Sequence, residues 1–163
     1  MTTPEDTRTI DYEIREATSA DFPVIIELIR ELALYERAPE KVTNSVEQME
    51  QEADLFRCVL AVDATGRVLG MALWFYAYYT WVGKSLYLDD IYVREESRGY
   101  GIGGALLKRV FADARENGCK RVRWQVLDWN EPAIEVYKRY GAEIDSEWLN
   151  CSFDRQGINL FPE

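Results

Sequence analysis

The run from Glu96 to Leu107, ESRGYGIGGALL, places four of the ten glycines within six positions and passes directly into an apolar helical pattern. Glycine tolerates left-handed backbone and leaves room beside it, and the first N–H groups of a helix have no acceptor within that helix. A glycine cluster that opens a helix is therefore a cradle for an anion such as a phosphate. The rest of the chain must be compatible with a turn on one side of this cradle and a helix on the other.

The flanking patterns supply those elements. YEIREA alternates as a strand, and Thr18 to Asp21 has capping-box spacing ahead of a helix that carries Phe22, Ile25, Ile29, Leu32 and Ala33 and runs to Tyr35 and Glu36. Pro39 closes the region, and NSVEQMEQEA reads as a shorter polar helix. RCVLAVD, RVLGMALWFYAYY and KSLYLDDIYVR predict three strands in an antiparallel meander, the first two joined by a turn over Asp63 to Gly66. After the glycines, Leu106, Leu107, Val110, Phe111 and Ala114 mark one face of a helix that stops at Asn117 and Gly118. RVRWQVL reads as a strand, Asn130 as the cap of a helix with Pro132 in its first turn and Gly141 at its end, and IDSEWLNCSFD has strand character. This order predicts an α/β fold with a mixed, largely antiparallel central sheet flanked by helices. The 163 residues suit a single domain, with residues 1–10 and 156–163 expected to fray.

Composition narrows the chemistry. The 29 acidic residues outweigh 19 basic ones, a net charge of −10 that is the wrong sign for tracking a nucleic-acid backbone and suits a small cationic partner. The absence of histidine removes Ser-His-Asp and Cys-His hydrolases together with histidine metal sites, so acid–base work falls to carboxylate, tyrosine, lysine, cysteine, a terminus or water. Cys58, Cys119 and Cys151 form no Cys-x-x-Cys pair, which predicts neither a disulfide framework nor a metal site. Cys58 and Cys119 are expected in the core. The aromatic stretch WFYAYYTW lacks the interleaved basic residues of a base-stacking platform. No apolar run has the length of a membrane span, and the first residues lack the apolar core of a secretory signal. The expectation is a cytoplasmic protein with no nucleic-acid or membrane partner.

Several ligands share the phosphate cradle. Gly99, Gly101 and Gly104 satisfy the spacing of a dinucleotide fingerprint, with Asp128 downstream, yet the polar run REESR and the pair Asp89-Asp90 interrupt the strand that should precede it. A P-loop is excluded because no Lys-Ser or Lys-Thr follows at the required spacing. A turn without ligand does not need four glycines followed at once by a helix.

Arg98-Gly99-Tyr100-Gly101-Ile102-Gly103 resembles the signature of the GNAT acetyltransferase superfamily: Arg or Gln, two residues, Gly, one residue, then Gly or Ala. REATSADFPVIIELIRELALYE, WVGKSLYLDDIYVREESRGYGIG and WNEPAIEVYKRYGA further resemble its spermidine/spermine and thialysine acetyltransferase branch, from Arg15 to about Trp148. The resemblance implies acetyl-CoA as cosubstrate, its pyrophosphate held by Arg98, Gly99, Tyr100, Gly101, Ile102, Gly103 and Gly104. It also implies that the backbone of Ile91, Tyr92 and Val93 pairs with the pantetheine arm, with Asn130 and its helix bordering that arm. Tyr137, which on residues alone is a packed aromatic beside Ala133, Val136 and Tyr140, becomes the general acid for the leaving thiolate. Tyr35, Glu36 and Asp89 are implied at the amine, where Asp90 and Glu147 could supply further carboxylates and Trp81 a substrate loop. Strand alternation places Asp89 and Asp90 on opposite faces, so their side chains cannot both address one site. Asp89 stands where the branch often has glutamate, and LNCSFD is less basic than the corresponding tail.

The implied function is acetyl transfer from acetyl-CoA to a primary amine of a small polyamine, diamine or lysine-like substrate, by direct attack and in a homodimer. Protein lysine or N-terminal acetylation, and a non-catalytic acyl-CoA-binding sensor, are the alternatives.

Overall fold

A computed structural model describes residues 9–162. They divide into two compact units, one ending at Gln125 and one beginning at Val126.

The first unit opens with β1 (Tyr12–Glu16) and α1 (Phe22–Tyr35), joined by a single 3-10 turn. The expected capping box is present: the Thr18 N–H donates to Asp21 Oδ2 at 2.8 Å. Arg15 grips the same carboxylate with two bonds of 2.8 Å, which holds Asp21 down at about 2. After α2 (Val46–Gln51), β2 (Arg57–Asp63), β3 (Val68–Tyr79) and β4 (Gly83–Val93) form the predicted meander. The sheet order is β1-β2-β3-β4-β5, antiparallel throughout except that β5 (Val122–Arg123) runs parallel to β4. The parallel step requires a crossover, and α3 (Ile102–Glu116) provides it.

Helices cover both faces. Ile25, Ile26 and Leu28 of α1 pack with Met49 of α2 and with Cys58, Leu60, Met71, Leu73 and Tyr92 of the sheet. Trp74, one residue on from Leu73, donates its indole N–H to Asp113 of α3 at 3.2 Å, which puts α3 on the opposite face. Ile102, Leu106, Leu107, Val110 and Ala114 are buried on α3 as its periodicity predicts, whereas Phe111 is partly exposed and meets Trp124 edge-on.

The strand expected over RVRWQVL shrinks to two residues. β5 pairs with Leu86 and Tyr87 only, because β4 changes course immediately afterwards at a bulge, and β propensity without a neighbouring strand forms no ladder. In the second unit, α4 (Glu131–Arg139) begins at Asn130, whose carbonyl accepts from the Ile134 N–H, and ends before Gly141. The tail IDSEWLNCSFD forms no strand. Asp145 takes the Glu147 N–H at 2.9 Å, a local turn that competes with extension, and Asp154 caps a short helix, α5 (Arg155–Asn159). Residues 1–8, part of the stretch expected to fray, lie outside the described residues.

Candidate active site

The glycine run closes β4 and opens α3. Arg94 extends the ladder by donating its N–H to the Leu69 carbonyl at 2.9 Å, a 3-10 turn covers Glu95–Ser97, and Gly99 and Gly101 then adopt φ of 85° and 79°. Both angles lie in the left-handed region that favours glycine. A Cβ at either would meet nothing within 4 Å, so the cradle is open where an anion would enter. Gly101 is the N-cap of the 15-residue α3, whose first N–H groups face the same space. These features fit a diphosphate. Ile102 is fully buried, so only its backbone can serve the cradle, and the side chain of Tyr92 is likewise part of the core.

The carbonyl end of β4 has an unusual edge. On the β5 side its ladder ends at Tyr87, so among the described residues no strand neighbours Leu88 to Val93 there. Ile91, Tyr92 and Val93 pair on their other side with Ala72, Met71 and Gly70.

The carboxylates converge more closely than alternation allows. Trp74 opposes Leu88 while Leu73 opposes Asp90, which makes Asp89 the extra residue of a β-bulge. The bulge resets the alternation, and Asp90 joins the face of its partner Leu73 and of α1. The expectation that Asp89 and Asp90 must point to opposite faces is corrected accordingly. Glu36, the last cap of α1, lies close enough to Asp90 to act on its charge. Burial, with Asp89 and Glu36 adding repulsion, pushes the half-buried Asp90 up to about 7, and burial raises Asp89 and Glu36 as well. Among the described residues none of the three has a hydrogen bond or ion pair to a cation. Arg37 follows with φ of 62°, completing a Schellman turn in which the Ala38 N–H reaches the Ala33 carbonyl at 2.9 Å.

Tyr35 meets the glycine run through Arg98. The Arg98 guanidinium lies 5.1 Å from the Tyr35 ring centre and 5.6 Å from that of Tyr92, and its Nε donates to the Val93 carbonyl at 3.0 Å. Beside it, Arg94 binds Glu27 at 2.6 Å and Glu31 at 3.5 Å. Sequence reasoning overlooked this cluster, although two glutamates four apart on α1 were its signal. Trp81 is 84% exposed at the β3–β4 hairpin, separated from Asp89 by roughly 20 Å of strand. Tyr100 is half-buried in the loop. In the second unit, Tyr137 is half-buried on α4, its carbonyl accepting from the Ala142 N–H at 3.1 Å, and Glu147 is exposed in the Asp145 turn.

Burial pushes the Cys58 thiol up to about 12, a poor setting for a nucleophile. Among the described residues, no His, Cys, Asp and Glu cluster is arranged to hold a metal ion, and no helix is long and apolar enough to cross a membrane.

The pattern of the acetyltransferase (GNAT) family matches residues 13–142. A thialysine N-epsilon-acetyltransferase of Bos taurus is 40% identical over 85% of this chain and 89% of its own length. A spermidine/spermine N(1)-acetyltransferase-like protein 1 of Homo sapiens is 32% identical over 90% of this chain, but over only 23% of its own. A solved acetyltransferase of Trypanosoma brucei superposes with a TM-score of 0.70 at 20% identity, covering 88% of this chain and all of the other.

Proposed function

The chain belongs to the acetyltransferase (GNAT) family and is an acetyl-CoA-dependent N-acetyltransferase; from that premise we propose that its acceptor is a primary amine of a small polyamine, diamine or lysine-like molecule. The observation that carries this reading is the trio Glu36, Asp89 and Asp90 near the end of α1, whose charges repel one another and which has no ion pair to a cation among the described residues. Separated ammonium groups are the complement of separated carboxylates. The names of the bovine and human relatives support the same acceptor class.

Acetyl-CoA, when bound, supplies the acetyl thioester. The backbone of residues 98–104 holds its diphosphate at the start of α3, and the open edge at Ile91, Tyr92 and Val93 receives its arm as an added strand would be received. Glu36 and Asp89 hold the charged acceptor with help from Tyr35. Asp90, whose pKa near 7 suits a base at neutral pH, accepts the ammonium proton and leaves a neutral amine to attack the carbonyl carbon. The carbon–nitrogen bond forms, the carbon–sulfur bond breaks, and the departing sulfur takes a proton, the role that the family resemblance implies for Tyr137. No covalent acetyl-enzyme intervenes.

Single-domain behaviour over 1–163, a cytoplasmic location and a homodimer belong to the same proposal. Tyr78 and Trp81, 78% and 84% exposed, are the aromatic surface that supports the dimer.

Thiol release from acetyl-CoA, measured with matched panels of polyamines, diamines, lysine, thialysine and peptides, tests the acceptor. Selective turnover of the small amines is expected. Preference for peptides transfers the function to a protein acetyltransferase, and saturable acetyl-CoA binding with no turnover on any amine leaves a sensor.

A further inference from the structure

We propose that Tyr35 is a positioning residue for the cofactor loop: its ring, together with that of Tyr92, holds the Arg98 guanidinium and thereby sets the entry to the glycine cradle. The inference rests on acetyl-CoA binding at that cradle and adds a role for a residue otherwise placed at the amine.

Arg98 stands at the joint between the 3-10 turn after β4, where its N–H donates to the Glu95 carbonyl at 3.2 Å, and the left-handed Gly99. Three contacts fix its side chain. The Nε bond to the Val93 carbonyl ties it to the end of β4, Tyr92 supports it from the core, and Tyr35 approaches from the last turn of α1. An exposed arginine carries considerable rotamer entropy, and two aromatic faces reduce it before any anion arrives. The rigid α1 scaffold therefore orders a loop whose own glycines give it no side-chain packing. Because Tyr35 adjoins Glu36, a single element touches both the cofactor loop and the acidic cluster.

The test is the dissociation constant of CoA itself, titrated without amine. Tyr35→Leu is expected to weaken binding by about two- to tenfold, the range of one partly exposed cation–aromatic contact. Tyr35→Phe, which keeps the ring, restores it. Arg98→Gln also weakens binding, and adding Tyr35→Leu to Arg98→Gln costs nothing further, since the ring then has no guanidinium to hold. Equal CoA affinity for wild type and Tyr35→Leu, or independent losses in the double variant, overturns the positioning role while leaving the acetyltransferase reading intact. A wild-type protein that fails to bind CoA overturns both. Tyr35 is partly exposed, so its variants are expected to fold, and a melting curve for each verifies it.

Discussion

Asp90 carries a stability cost that follows from its proposed work. Its carboxyl is pushed to about 7 in the folded chain, against an ordinary value of 3.8. Between those values the folded state keeps a proton that the unfolded state has released, so stability falls as pH rises from about 4 to about 7. Asp90→Asn should therefore melt at a higher temperature than wild type at pH 8 and at nearly the same temperature at pH 4, while its turnover drops. A variant less stable at pH 8 would contradict the origin assigned to the shift. In the wild type, the Michaelis constant for a cationic amine should rise below pH 7 as Asp90 takes up its proton. Tyr137→Phe preserves the packed ring and removes the phenolic proton, for an expected loss of about a hundredfold in kcat with little change in the melting temperature. The residue types of this site were legible in the sequence, because a carboxylate pair on an apolar strand and glycines clustered before a helix both cost the fold stability unless a ligand uses them. Their relation was not legible: period-two alternation separates Asp89 from Asp90, and the bulge that reunites them has no local sequence mark.

At the scale of elements, local signals and pairing had different success. β2 falls on the residues RCVLAVD, and the capping box and the glycine start of α3 lie where short-range chemistry puts them. β5 and the tail failed because a strand is a property of two segments, and only one was visible in each pattern. Two tests address the elements that position the site. An added methyl at Gly70 would lie 2.6 Å from the Tyr92 carbonyl oxygen and 3.1 Å from the Val93 Cα, both backbone atoms that cannot step aside. Gly70→Ala should cost about 1–3 kcal/mol and weaken CoA binding, since the displaced residues form the receiving edge. On the other face, Asp113 accepts from Trp74 at 3.2 Å and from the Tyr76 hydroxyl at 2.5 Å, and burial followed by that bond raises Tyr76 to about 12. Asp113→Ala strands two donors under α3, and chemical denaturation should report a loss of about 2 kcal/mol.

Over the whole molecule, a net charge of −10 surrounds a site proposed to take cations. Encounter with a polyamine should be electrostatically steered, so kcat/KM should fall as ionic strength rises from about 0.01 to 0.15 M, where the screening length shortens from about 30 to 8 Å. A salt-independent kcat/KM would show that the charge serves solubility alone. The outer edge of β4 has a further consequence at this scale. The edge from Leu88 to Ile91, which among the described residues has no strand beside it past Tyr87, forms a template that accepts an extended chain, including another copy of the same protein. The cosubstrate that occupies this edge during turnover would then also be its guard. Concentrated enzyme kept without CoA should turn cloudy first, and scarcity of the metabolite would become a hazard to the catalyst's solubility as well as a limit on its rate.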